Sequence, residues 1–71
     1  MTQPTISAFE NHNGLTIVLV REGSRSLELR TTDKGLKVIG VSPGIDFPTK
    51  ARWALQASRW WRRNKPQEEA Q

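Results

Sequence analysis

The sequence contains no cysteine and a single histidine, His12. The first absence excludes a disulfide framework, a cysteine-based zinc site and a thiol nucleophile. The second removes the usual histidine-rich metal sites and leaves little for acid–base chemistry. No apolar run approaches the ~18–20 residues of a membrane span, and the opening MTQPTISAFE lacks the basic-then-apolar order of a secretory leader. Apolar residues are also scarce, 35% of the total, against a globular norm of about 45–50% that also counts glycine. In 71 residues such a supply supports one thin core, burying roughly 60% of the unfolded surface. Almost none of it can be left idle. The expectation is a single small soluble domain, cytoplasmic and non-enzymatic, with no cofactor.

What the chain does have is positive charge in one place. The formal net charge is +4, yet residues 50–65 hold Lys50, Arg52, Arg59, Arg62, Arg63 and Lys65 with no acidic residue among them. The remaining five basic residues face all seven acidic ones, so the rest of the chain nets −2. Concentrating one sign of charge raises the local concentration of an oppositely charged partner far more than spreading it does. The plainer account is a solvated helix face whose last arginines complement the helix dipole.

Turn signals recur about every ten residues, the rhythm of short antiparallel strands. They are Asn11-His12-Asn13-Gly14, Glu22-Gly23-Ser24-Arg25, Asp33-Lys34-Gly35 and Ser42-Pro43-Gly44. Between them lie 15–21, 26–32 and 36–41, rich in β-branched residues and leucine. In the middle run Leu27, Leu29 and Thr31 alternate with Ser26, Glu28, Arg30 and Thr32, an inward and an outward set. Leu15–Val20 is apolar on both faces, which suits a central strand. Thr5–Glu10 offers a further strand before the Asn-Gly turn, and Ile45-Asp46-Phe47 a short one after the last turn. His12 is a turn residue here, and Asp33 and Asp46 suit local hydrogen bonding. No phosphate loop, metal spacing or carboxylate pair accompanies them.

From Pro48 the period changes. Thr49 suits an N-cap, and residues 50–63 contain no glycine, proline or β-branched residue. At about 100° per residue, Trp53, Ala54, Ala57, Trp60 and Trp61 share one face. Arg52, Gln56, Arg59 and Arg63 share the opposite one, flanked by Arg62 and Leu55. Asn64-Lys65-Pro66 ends the helix, and 66–71 reads as a flexible tail. The expected fold is α+β: an antiparallel three- to four-stranded β-meander over residues 1–65, covered on one face by a single C-terminal α-helix.

Each tryptophan can bury about 150–250 Å², enough together to seal one face of a small sheet. The alternative is that Trp61, near the helix end, is exposed and stacks on a base. Helices that need only solubility commonly pair lysine with glutamate at i and i+4. This one has no acid between Lys50 and Lys65, and arginine outnumbers lysine four to two, which suits bidentate phosphate contacts. A polyanion is the expected partner, ahead of a membrane surface, because the indoles are needed inside.

The segment Ile45-Asp46-Phe47-Pro48-Thr49-Lys50-Ala51-Arg52-Trp53-Ala54 resembles the strand-to-helix junction of the arm-type DNA-binding domain of phage and transposon integrases. The resemblance implies a three-stranded sheet on one C-terminal helix, a phage or mobile-element origin, and the sheet's outer face in the major groove. Strands followed by a helix are equally compatible with a known single-stranded-DNA-binding fold. On this footing Arg21, Arg25, Arg30, Lys34 and Lys37 join the helix residues as candidates, unless they are ordinary strand charges interleaved with Glu22, Glu28 and Asp33. The candidate DNA-binding set is Lys50, Arg52, Arg59, Arg62, Arg63, Arg25, Arg30 and Lys37. The competing expectation is a small inhibitor or adaptor that docks an acidic protein partner through the arginine face or a free strand edge. A homodimer is compatible with both.

Overall fold

A computed structural model describes residues 3–64. Four strands, β1 (Thr5–Glu10), β2 (Thr16–Glu22), β3 (Arg25–Thr32) and β4 (Gly35–Val41), precede one helix, α1 (Phe47–Asn64). The strands pair antiparallel in chain order β1-β2-β3-β4, so every sheet connection is a hairpin. The fold is α+β, with the helix packed against one face of a four-stranded meander.

Turn chemistry sets the register. Gly23 has φ +62° at the first position of the two-residue loop joining Glu22 to Arg25, where a type II′ hairpin requires positive φ. The first connection is longer. There the Gly14 N–H donates to the Asn11 carbonyl at 2.9 Å, and Asn11 Oδ1 accepts from the N–H groups of Asn13 and Leu15 at 2.9 and 3.0 Å. Asn11 thus organises this loop through its side chain, and only Gly14 of the Asn-Gly pair has positive φ.

Burial follows the alternation. Val18 lies opposite Leu29 and Val20 opposite Leu27, and these four face the helix as the largest fully buried side chains. Trp53 (3% exposed) and Ala57 complete the cluster from α1. Ile6, Leu36, Val38, Ile45, Ala54, Trp60 and Trp61 pack around it, half-buried. The indoles therefore turn toward the sheet, Trp61 included, and none is fully open to solvent. The helix lies over β2, β3 and β4. β2, apolar on both faces, is a central strand, and Thr5–Glu10 is the edge strand β1.

The junction to the helix differs from the sequence expectation. Ile45-Asp46-Phe47 forms no strand; Ile45 and Asp46 are irregular and Phe47 already opens α1. The N-cap is Asp46, whose Oδ1 accepts from the Thr49 N–H at 3.0 Å. Thr49 is thus the donor at the third helical position, as an N-cap aspartate requires. Pro48 sits inside the first turn, where its missing N–H would have had no intrahelical acceptor. At the other end the Asn64 side-chain amide donates to the Trp60 carbonyl at 2.8 Å. The expected tail over 66–71, and Lys65, lie outside the described residues.

Candidate nucleic-acid interface

The eight candidate residues separate into three places. Along α1, Arg52, Arg59, Arg62 and Arg63 are all exposed; Arg59 and Arg63 lie on the side turned away from the sheet, whereas Arg52 and Arg62 flank it and line clefts with Glu22 and Arg25 and with the β3–β4 turn respectively. Arg59 and Arg63 lie there because Trp53, Ala57 and their neighbours must cover the core, and a 100° step carries these two arginines to the other side. Leu55 shares that side, 52% exposed. Lys50 is half-buried and has Nζ 5.7 Å from the centroid of the exposed Phe47 ring. It is a cation over an aromatic face near the helix start rather than a member of the outer stripe.

Arg25 is drawn inward. It shares the face of Leu27 and Leu29, donates from Nη2 to Glu22 Oε1 at 2.6 Å, and has Cζ 5.5 Å from the Trp53 ring centroid. Its position is thus a strand position directed to the helix side, not an outward one. The guanidinium buttresses the core tryptophan while the carboxylate of Glu22 balances its charge.

Arg30 and Lys37 occupy the sheet face opposite the helix. Register places Phe9, Ile17, Arg30 and Lys37 in one cross-strand row. Ser7, Leu19, Glu28 and Gly40 make the next row, and Arg21 stands beyond it, opposite Ser26. A bulge at Glu28/Leu29 leaves Ile39 unpaired on the same face. Phe9 and Ile39 are 47% and 49% exposed, whereas Ile17 is only 5% exposed between its neighbours. Lys34 lies in the exposed β3–β4 turn.

No protein-family model, curated protein or solved structure matches this chain. What the surfaces can do is therefore read from their chemistry. Among the described residues none of Arg21, Arg30, Lys37, Arg59, Arg62 and Arg63 has a carboxylate within 4.0 Å. The Thr49 hydroxyl and backbone N–H hold the pKa of Asp46 below the ordinary 3.8, with a small further contribution from Arg52. Arg52 also lines a cleft of about 560 Å³ with Gln3, Glu22, Arg25 and Gln56.

Arg21, named among the sequence candidates, belongs to the open sheet face through the alternation Ile17, Leu19, Arg21. One surface feature escapes a reading by charge. The apolar strip formed by Phe9, Ile17, Leu19 and Ile39 beside these cations appears only once the side taken by the helix is known.

Proposed function

We propose that this chain is a non-enzymatic DNA-binding protein that holds backbone phosphates with the outer face of α1. The observation that carries this is the exposed stripe Arg52, Arg59 and Arg63 on one helix face, flanked by Arg62, of which Arg59, Arg62 and Arg63 have no carboxylate within 4.0 Å among the described residues. From Arg52 to Arg63 the stripe runs about 16 Å at 1.5 Å per residue. Projected on the duplex axis, that length spans roughly five phosphates of one strand at about 3.4 Å of rise each. Guanidinium forks suit such acceptors bidentately. The sequence of residues 45–54, which resembles that of an integrase arm-type junction, points to the same ligand, although residues 45–47 form no strand here.

The test is a titration with duplex oligonucleotides. Four phosphate contacts give a slope of about 3.6 log units per decade of salt, so binding weakens roughly 150-fold between about 50 and 200 mM. Replacing Arg59 and Arg63 by glutamine lowers the slope by about 1.8. Salt-insensitive binding, or none at low salt, overturns the proposal.

Leu55, exposed amid the arginines, favours a second reading in which α1 docks an acidic protein segment. The two separate at that residue: Leu55→Ala leaves DNA affinity unchanged but weakens a protein contact.

A further inference from the structure

The two cationic surfaces lie back to back. Val18, Val20, Leu27 and Leu29 face α1, so strand alternation sends Arg21 and Arg30 out of the opposite face, joined there by Lys37. Arg59 and Arg63 of α1 lie on the helix side opposite Trp53 and Ala57, away from that same core. The folded body measures 42 × 25 × 20 Å, and a packed apolar layer fills the space between the two faces. A duplex lying on one face is directed away from the other.

The sheet face is not neutral strand decoration. Arg30 and Lys37 stand directly opposite each other across β3 and β4, a placement that destabilises a sheet when the charges are alike. Arg21 lies on the neighbouring strand, and Glu28 is the one acidic side chain in the rows formed around them. A second copy seated face to face by two-fold symmetry would bring this excess of positive charge against itself. The charge selects a polyanion. Phe9 and Ile39, each about half exposed, supply apolar contact beside it.

We infer that this protein bridges two DNA duplexes, one held by the outer face of α1 and the other by Arg21, Arg30 and Lys37 on the open face of the sheet. The inference rests on the proposed helix-face function for its first site and adds a second, independent one. With three contacts the sheet site has a salt slope of about 2.7 against about 3.6 for the helix site, so it is the weaker and empties first as salt rises.

The experiment captures a labelled duplex on beads that carry an unlabelled duplex loaded with protein, at about 50 mM salt. Fluorescence anisotropy measures binding of a single duplex in parallel, and sedimentation velocity measures the protein's oligomeric state. The wild-type protein retains the second duplex. Arg21→Glu/Arg30→Glu/Lys37→Glu binds a single duplex with its helix-type slope but loses capture by at least tenfold. The glutamine triple variant, which avoids adding acidic charge, gives the same split should the first variant misfold by circular dichroism. Arg59→Glu/Arg63→Glu also loses capture while keeping the shallower slope of the sheet site.

Full capture by the sheet variants overturns the inference, since self-association through one surface then accounts for bridging. A wild-type protein that binds one duplex and captures no second overturns it while leaving the helix-face function intact. A wild-type protein that binds no duplex at all removes both.

Discussion

Replacing Trp53 by alanine tests whether the indoles close the sheet and so point the arginines outward. Trp53 is 3% exposed and packs with Val18, Val20, Leu27 and Leu29. Truncating a buried tryptophan to alanine destabilises by about 3–5 kcal/mol, the lost transfer free energy plus that of the cavity left behind. Arg25 also loses the ring it lies over, an interaction of about 0.5–2 kcal/mol. Against this, a chain of this length is stable by roughly 4–11 kcal/mol in total. The substitution therefore removes about half of the stability, or all of it if the protein lies at the low end.

Urea unfolding followed by far-ultraviolet circular dichroism measures the loss, with Trp60 and Trp61 as fluorescent reporters. With a slope near 1 kcal/mol/M, as expected for the smallest domains, the midpoint falls by about 3 M or more, or the cooperative transition vanishes. Leu55→Ala on the outer face is the control, expected within about 0.5 kcal/mol of the parent. If Trp53→Ala unfolds with the parent midpoint, the helix does not seal the sheet through this indole. The outward direction of the arginine stripe then loses its physical basis.

Two further outcomes follow from single side chains. Hydrogen bonds from Thr49 lower the pKa of Asp46 from 3.8, so its stabilising contribution is fully present above the unfolded value and disappears as pH falls through the lower folded one. Thermal unfolding should thus show Asp46→Ala less stable than the parent at pH 7, with the difference closing at pH values below 3.8. Glu28 is the acidic side chain closest to the sheet cations in register, and a methyl group added at Gly40 would meet its Oε1 at 3.0 Å. Glu28→Gln should tighten duplex binding at the sheet face by up to about fivefold, the upper end of the ~0.2–1 kcal/mol range for exposed charges; anisotropy in the Arg59→Glu/Arg63→Glu background measures it.

The meander was legible because its signals were local. Gly23 and Gly14 mark turns, and the alternation of Leu27 and Leu29 with Glu28 and Arg30 states which β3 residues are inside. The helix face followed from the spacing of Trp53, Ala57 and Trp60. The junction was not legible, because two local rules compete there. A residue before proline disfavours helical geometry, and Thr49 by itself offers an N-cap. The Asp46 carboxylate, accepting from Thr49, outweighed that preference and brought Phe47 into the helix. Arg25 illustrates a different limit. Extending the Leu27 and Leu29 alternation back by two residues places it inside, but charge argued for the outside. Only the tertiary arrangement, with Glu22 and Trp53 both within reach, shows why an inward arginine is tolerated. Which face of β2 lies inside was hidden in β2 itself, which is apolar on both, and follows only from its pairing with β3.

Net charge is therefore a poor guide to which cations matter, and the fold's own electrostatics sort them better. Arg62 and Arg63 occupy the last turn of α1, where each gains about 0.3–1 kcal/mol from the helix dipole and needs no ligand to explain it. Arg25 is used by Glu22 and Trp53, and Arg52 contributes to keeping Asp46 ionised. Arg59 has no such use. It lies three and four residues before Arg62 and Arg63, spacings at which like charges destabilise a helix by a few tenths of a kcal/mol each. Arg30 opposite Lys37 is the equivalent placement on the sheet. In both places the isolated fold bears a repulsion that it could relieve by a single neutral substitution. A polyanion lying against either surface converts that repulsion into attraction. Arg59 on the helix and the Arg30–Lys37 pair on the sheet are accordingly the positions where loss of charge should separate binding from stability, lowering the first while leaving the second equal or greater.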